Sequence, residues 1–253
     1  MAATDLSDGS LLAVLHEAAT AVGAALAGLR DWGLAGTRDW QYRHDLVADG
    51  AALEVLTGAG LGVVSEESGD HDAGAAVVVV LDPVDGSTNA SRGLPWWNTS
   101  LCALDHRGPR AAVVVNQPSG ARFEAVRGGG ARLDGRPISP SSCAAVRDAI
   151  VGLNGYPARH LGWKQYRALG ATALDLCAVA AGVLDGYVDC TRRGSAPWDY
   201  LGGLLVCTEA GAFVADADGD DLVTGRHQDR RTPVAAATPE LLAELLAARR
   251  KIG

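Results

Sequence analysis

The chain has 253 residues, with 22 basic against 30 acidic side chains and a net charge of −8. That balance excludes the basic stripe of a nucleic-acid polymer binder and polybasic attachment to an anionic membrane. With 48% hydrophobic residues over this length, the chain is expected to fold as a globular body rather than remain disordered.

The N-terminal stretch shows no basic segment followed by an apolar one, so no secretory leader is expected. Leu11, Leu12, Leu15, Ala19, Val22, Leu26 and Leu29 recur at helical spacing and predict an amphipathic helix over residues 10–30. Ser7, Asp8 and Ser10 offer capping side chains in front of it. Residues 31–45 read as an irregular loop, and a second helix is expected from Asp49 to Thr57, closed by Gly58 and Gly60. Two β-rich runs follow, Gly62–Ser65 and Ala75–Leu81, and each delivers carboxylates at its C-terminal end. The longest strongly apolar stretch, 73–81, falls far short of the roughly 20 residues that span a bilayer, so no membrane association is expected.

Residues 99–104, 111–117 and 121–126 read as strands of a meander, with turn chemistry at Asn116–Gly120. The segment 134–142 is the most linker-like, so a single domain over 1–253 is expected to divide into two lobes near 134–147. Further strands are predicted at Ala149–Leu153, Gly186–Cys190 and Ala212–Ala215, and helices at Thr172–Leu184, Tyr200–Ala210 and Pro239–Arg250. Their irregular alternation implies mixed α/β or α+β layers.

Five cysteines, odd in number and without C-x-x-C spacing, argue against a zinc cage or disulfide framework and suit a reducing cytoplasm. Neither of the two lysines, Lys164 and Lys251, precedes Ser or Thr, which excludes a Walker-A phosphate loop.

Acids gather beside turn residues in three places: Glu66-Glu67 after a strand, Asp82 and Asp85 in DPVDGSTN after the most apolar strand, and Asp199 after Trp198. Singly, these read as a solvated pair, a turn and a helix cap. Together they place carboxylates at the ends of apolar elements, a costly arrangement without cations. Hard oxygen ligands of this kind suit Mg²⁺.

DPVDGSTN resembles the D-P-[LIV]-D-G-[ST]-x-N signature of the inositol monophosphatase family, and WDYLGGLLVCTEAGAFV is similar to its second signature. SEES matches the family's glutamate site, and GATALDLCAVAAGVLDGYVD resembles the segment leading to the second signature. The resemblance covers roughly residues 10–250 and implies an αβαβα five-layer sandwich assembled as a homodimer. It also implies two Mg²⁺ ions and leaves a third open. Glu66, Asp82 and the Val84 carbonyl would hold one ion, and Asp82, Asp85 and Asp199 the other. The Ser87 hydroxyl would orient the attacking water, the Gly86 and Ser87 amides would hold phosphate oxygens, and Thr172 and Asp199 would face the substrate.

The family's D-x-V-T-x-x-D motif has only DLVAD, Asp45 to Asp49, set against it. Asp49 is taken as the acid that receives the water's proton because a helix is expected to follow it; Asp45 is the alternative. Asp189 occupies a position often filled by a hydroxyl-binding glutamate. The following CTRRGSAP segment carries Arg192 and Arg193, read either as pocket residues admitting a second anionic group or as a solvated turn. The function this implies is hydrolysis of a small cyclitol or sugar phosphate monoester such as myo-inositol monophosphate. Fructose-1,6-bisphosphate, 3′-phosphoadenosine nucleotides and histidinol phosphate are the alternative substrates, and a catalytically silent ligand-binding protein is the alternative of another class.

Overall fold

The computed structural model describes residues 6–39 and 41–252; the extreme N-terminal residues read above for a leader lie outside them. Helices α1 (Asp8–Ala27) and α2 (Arg43–Gly58) lead into strands β1 (Gly62–Ser65), β2 (Gly69–His71) and β3 (Val78–Asp85). A short helix α3 (Ser87–Arg92) precedes the meander β4 (Asn98–Asp105), β5 (Gly108–Asn116), β6 (Arg122–Val126), β7 (Gly130–Leu133) and β8 (Arg136–Pro137). The second half contains β9 (Ile150–Asn154), β10 (Gln165–Arg167), α4 (Thr172–Ala180), β11 (Gly186–Asp189) and α5 (Pro197–Ala210). It closes with β12 (Phe213–Asp216), β13 (Pro233–Ala236) and α6 (Pro239–Arg249).

The strands form an eight-stranded sheet, β2-β1-β3-β4-β5-β6-β7-β8, and a five-stranded sheet, β10-β9-β11-β13-β12. One apolar core joins α1 and α2 to the outer face of the larger sheet, a second joins α4 and α5 to both sheets, and a third joins α6 to the smaller sheet. Helices and sheets therefore alternate in five layers, as the family resemblance implies. The chain leaves the first sheet at Pro137 and enters the second at Ile150, so the linker-like segment is the crossing between sheets.

Helix α1 starts where Ser7 Oγ accepts the Ser10 amide, and it is long and apolar enough by composition to cross a membrane. Its apolar stripe, Leu11, Leu15, Ala18, Ala19, Val22 and Leu26, is instead buried in the outer core. Helix α2 begins at Arg43, six residues before the predicted start. That difference decides the site.

Helix α5 lies tightly between layers because it carries Gly202 and Gly203. A Cβ on Gly202 would come within 2.6 Å of Ser100 Oγ, and one on Gly203 within 2.6 Å of Leu176 Cβ. Glycine thus lets one helix touch both the large sheet and α4, which fixes where its N-terminus ends.

Candidate active site

Strand β3 is buried along nearly its whole length and runs parallel to β1, with Ser65 opposite Leu81. The next residues in that register, Glu66 and Asp82, therefore emerge side by side at the C-terminal ends of the pair. Pro83 cannot donate to the ladder, and the pairing with β4 shifts between Asp82 and Asp85. Within the irregularity the Val84 amide donates to Asp82 Oδ1 at 3.0 Å, and Thr99 Oγ1 donates to the Pro83 carbonyl at 2.9 Å. Asp82 and Asp85 are thus both held at one sheet end. Gly86 turns the chain with φ +92°, and a Cβ there would lie 3.1–3.2 Å from Trp97 Cβ, Ala171 Cβ and the Gly170 carbonyl. Only glycine fits this corner without strain.

Asp199 arrives from the middle layer. It is the third residue of α5, after Pro197, and its Oδ2 accepts the Ala196 amide at 2.6 Å. This uses one oxygen to satisfy an orphan helix donor and leaves the other toward the sheet. One carboxylate oxygen each from Glu66, Asp82 and Asp199 lies within 4.8 Å of the others. Asp85 is oriented by Asn98 Nδ2 at 2.7 Å and the Ala173 amide at 2.9 Å, both on Oδ2.

Burial first, then repulsion from neighbouring carboxylates (Asp199 and Glu67 on Glu66, Glu66 and Asp85 on Asp82), raises Glu66 and Asp82 well above the usual carboxylate range. Burial also lifts Asp85 to about 6, against hydrogen bonds from Asn98 and the start of α4. Asp199 is pushed up to about 7 by burial and the Asp85 charge, opposed by the Ala196 amide and the Arg230 charge. Among the described residues no Arg, Lys or His pairs with these four acids within 4.0 Å. A converging set of hard oxygens with no cationic side chain paired to it among the described residues fits divalent cations of the Mg²⁺ type.

A dyad stands beside this cluster. Ser87 Oγ lies 2.8 Å from both Asp45 Oδ1 and the Val84 carbonyl, so its single proton has two alternative acceptors. Asp45 is the third residue of α2, and its Oδ2 accepts the Tyr42 amide at 2.8 Å, the same device that orients Asp199. Burial raises Asp45 to about 6 against these hydrogen bonds. His44 Nε2 lies 3.2 Å from Asp45 Oδ1, and burial lowers this histidine to about 4, which keeps it neutral at pH 7.

Several of the expected site residues have other partners in the structure, and Arg192 and Arg193 follow the solvated-turn alternative. Asp49, chosen as the partner of the Ser87 hydroxyl, lies one turn further along α2 and accepts the Ser65 hydroxyl instead. The helix begins early enough to put Asp45, not Asp49, at its open end. Asp189 is fully buried and turned into its own loop, where its carboxylate accepts from Asn154 Nδ2, Thr191 N and Oγ1, and Ser195 Oγ. Both of its oxygens are thus engaged within the loop. The Thr172 hydroxyl meets the Tyr187 hydroxyl at 3.0 Å, so α4 reaches the site through its first amides rather than that side chain. Arg193 points to the turn after β12 and pairs with Asp220 at 2.9 Å and Asp218 at 3.7 Å; Arg192 is exposed.

Two features went unread in the sequence. Asp39 and Asp45 have the six-residue separation of the two acids in D-x-V-T-x-x-D, with Tyr42 in the threonine position. Arg230, distant from every motif, lies with its guanidinium carbon 5.3 Å over the Trp198 ring. It reaches there because Ser195 and Arg231 exchange two backbone hydrogen bonds, at 2.8 and 3.2 Å. On the inner side of the same loop, Arg249 is buried and donates to the Asp189 and Thr191 carbonyls.

Residues 35–253 match the model of the inositol monophosphatase family. The chain is 33% identical over 207 residues to a fructose-1,6-bisphosphatase from Pyrococcus furiosus, covering 80% of each protein. It is 32% identical over 243 residues to an inositol-1-monophosphatase from Mesorhizobium japonicum, covering 85% of this chain and 88% of that one. Among solved structures, a Pyrococcus horikoshii protein described as similar to inositol-1 monophosphatase superposes with a TM-score of 0.81 at 27% identity. That match covers 94% of this chain and 96% of the other. The chain belongs to the inositol monophosphatase family, a family of phosphoric monoester hydrolases.

Proposed function

We propose that the protein hydrolyses a small phosphate monoester, a cyclitol or sugar phosphate of the myo-inositol monophosphate type, with Mg²⁺ held by Glu66, Asp82, Asp85, Asp199 and the Val84 carbonyl. The observation that carries this reading is the convergence of Glu66, Asp82 and Asp199 within 4.8 Å beside the Ser87–Asp45 pair. Bound Mg²⁺ supplies charge neutralisation at the transferring phosphoryl group and a more acidic water. Asp82, the most enclosed of these acids, would be shared between the two ions.

The chain's own residues supply the rest. The Ser87 hydroxyl, donating to Asp45, turns its oxygen lone pair outward to orient a water molecule. Asp45, held near 6 and therefore ionised at pH 7, accepts that water's proton. Gly86 and Ser87 amides face the phosphate oxygens. Attack by the water is direct and in line, with the Ser87 hydroxyl, engaged by Asp45 and the Val84 carbonyl, orienting that water rather than attacking. The complete acid set favours catalysis over a silent ligand-binding role. The bisphosphatase among the relatives supports acceptance of a bisphosphorylated sugar as the second reading. Five free thiols support action in a reducing cytoplasm, and the family resemblance supports a homodimer.

Phosphate release from a panel of esters, with and without Mg²⁺, tests the proposal. Metal-dependent turnover of at least one small monoester is expected, and its absence on every ester would falsify the reading. Asp82→Asn is expected to abolish that turnover by removing the shared ligand; retained activity would contradict the two-ion assignment.

A further inference from the structure

We propose that His44 is a positioning residue for the proton acceptor Asp45: its neutral imidazole presents Nε2–H to Asp45 Oδ1 and holds that carboxylate ionised beside the Ser87 hydroxyl. The inference rests on the phosphatase reading and adds a residue to the machinery that activates the water. His44 is the second residue of α2 and is fully buried. Its ring stacks on Tyr42 with centroids 5.1 Å apart and tilts against Trp32 at 4.9 Å, while Trp32 meets Trp97 edge-on at 5.9 Å. This aromatic layer holds the imidazole in place. Nε2 lies 3.2 Å from Asp45 Oδ1, the oxygen that accepts the Ser87 hydroxyl. Neither ring nitrogen completes a hydrogen bond with good geometry. Buried polar atoms without partners are costly, and phenylalanine would fill the same layer without them.

Burial lowers His44 to about 4, so the ring carries a single N–H throughout the neutral range. Three neighbours attract that proton: Asp45 Oδ1 and the backbones of Trp32 and Ser87. The carboxylate is the charged one, and a charged acceptor forms the stronger bond. A bare Nε2 would instead set its lone pair against the anion. Asp45 needs such a donor. Its charge and those of Glu66 and Glu67, at the end of β1, repel one another, and Asp49 stands one turn along the same helix. Among the described residues no Arg or Lys pairs with Asp45 within 4.0 Å; Arg43 pairs with Asp31 and Arg38 with Glu67. The Tyr42 amide donates to Oδ2, and the Ser87 hydroxyl divides its proton between Oδ1 and the Val84 carbonyl. His44 is the neighbour that the aromatic layer keeps facing Oδ1.

The test compares the wild type with His44→Phe, which keeps the ring stack and removes both nitrogens, and His44→Gln, which keeps an N–H donor. In chelator, nitrogen-15 shifts of the His44 ring show which nitrogen carries the proton, and the carbon-13 carboxyl shift of Asp45 follows its titration. The wild type is expected to carry the proton on Nε2. H44F is expected to raise the Asp45 midpoint by about one pH unit or more, as for a lost hydrogen bond to a charged group, and H44Q to restore most of that shift. With Mg²⁺ and a phosphate ester, the acidic limb of kcat moves up with the midpoint in H44F. Its kcat loss is then larger near pH 6 than above pH 8, with KM unchanged. A proton on Nδ1, an H44F midpoint equal to wild type, an H44Q that titrates like H44F, or a kcat loss equal at every pH overturns the proposal. If H44F fails to fold, the tautomer of the wild type decides, since a proton on Nδ1 leaves no donor facing Asp45. A wild type that turns over no ester in Mg²⁺ sinks the phosphatase reading, while the tautomer and the Asp45 titration still decide on His44.

Discussion

Asp45 and Asp49 stand four residues apart on α2, both buried, and their partners assign them different work. Asp45 meets Ser87 at the open end of the helix, whereas Asp49 anchors the Ser65 hydroxyl, which in turn accepts the Glu67 amide at 3.1 Å. Asp45→Asn is therefore expected to lower kcat by roughly 10²–10⁴, the range for loss of a positioned proton acceptor. Asp49→Asn is expected to cost about 1–3 kcal/mol of stability while kcat stays within about tenfold of the Asp45→Asn variant's parent. Steady-state kinetics and urea unfolding of both variants check this, and a kcat loss in Asp49→Asn equal to that in Asp45→Asn would restore Asp49 as the acceptor. Asp45 was legible in the sequence as the alternative to Asp49, and it was ranked second only because the helix was expected to start at Asp49. Arg230 was not legible at all, because only the pairing of Ser195 with Arg231 brings it to Trp198.

Among the elements, β1 was readable to the residue, and the acids at the ends of β1 and β3 followed from apolar runs that stop abruptly. Helix α2 was not, because its cap is Tyr42, outside the small polar residues that announce a helix start. Its first turn, Arg43–Leu46, opens with three polar residues, Arg43, His44 and Asp45, that show no apolar stripe. Strand β13 escaped notice because Pro-Val-Ala-Ala has little β-branched character, yet it is fully buried between β11 and β12. The turn from β3 into α3 offers a sharp test at this scale. Gly86→Ala forces a side chain into a left-handed corner with neighbours at 3.1–3.2 Å, including the Gly170 backbone. A stability loss of about 1–3 kcal/mol is expected, together with weaker activity because Asp85 and Ser87 flank the displaced residue. Denaturant unfolding measures the first, and an unfolding midpoint equal to wild type would show that the corner relaxes freely.

For the whole molecule, the raised carboxylates link stability to pH. Asp45 and Asp85 titrate near 6 and Asp199 near 7 in the folded chain, above the unfolded value of about 3.9. Protonation therefore favours the folded, metal-free protein. This contribution is full below about pH 4 and is lost as pH rises through 6 and 7. Thermal melts in chelator are expected to show Tm falling from pH 5 to pH 8, with Mg²⁺ restoring it at pH 8 and having little effect at pH 5. A chelated Tm independent of pH over that range would remove the linkage.

The site's acids are drawn from different layers: Asp45 from an outer helix, Glu66, Asp82 and Asp85 from the large sheet, and Asp199 from the helix between the sheets. Ions bound there would join the start of α5 to the sheet edge, while the Ser87 hydroxyl ties that edge to the start of α2. Amide hydrogen exchange is the observable. On chelation, protection factors are expected to drop together at Ala196–Asp199, Glu66–Glu67 and Gly86–Ser87, segments far apart in sequence, while the α6 amides keep theirs. The acids then act as a fastener between layers, and local opening of one layer becomes the business of its neighbours.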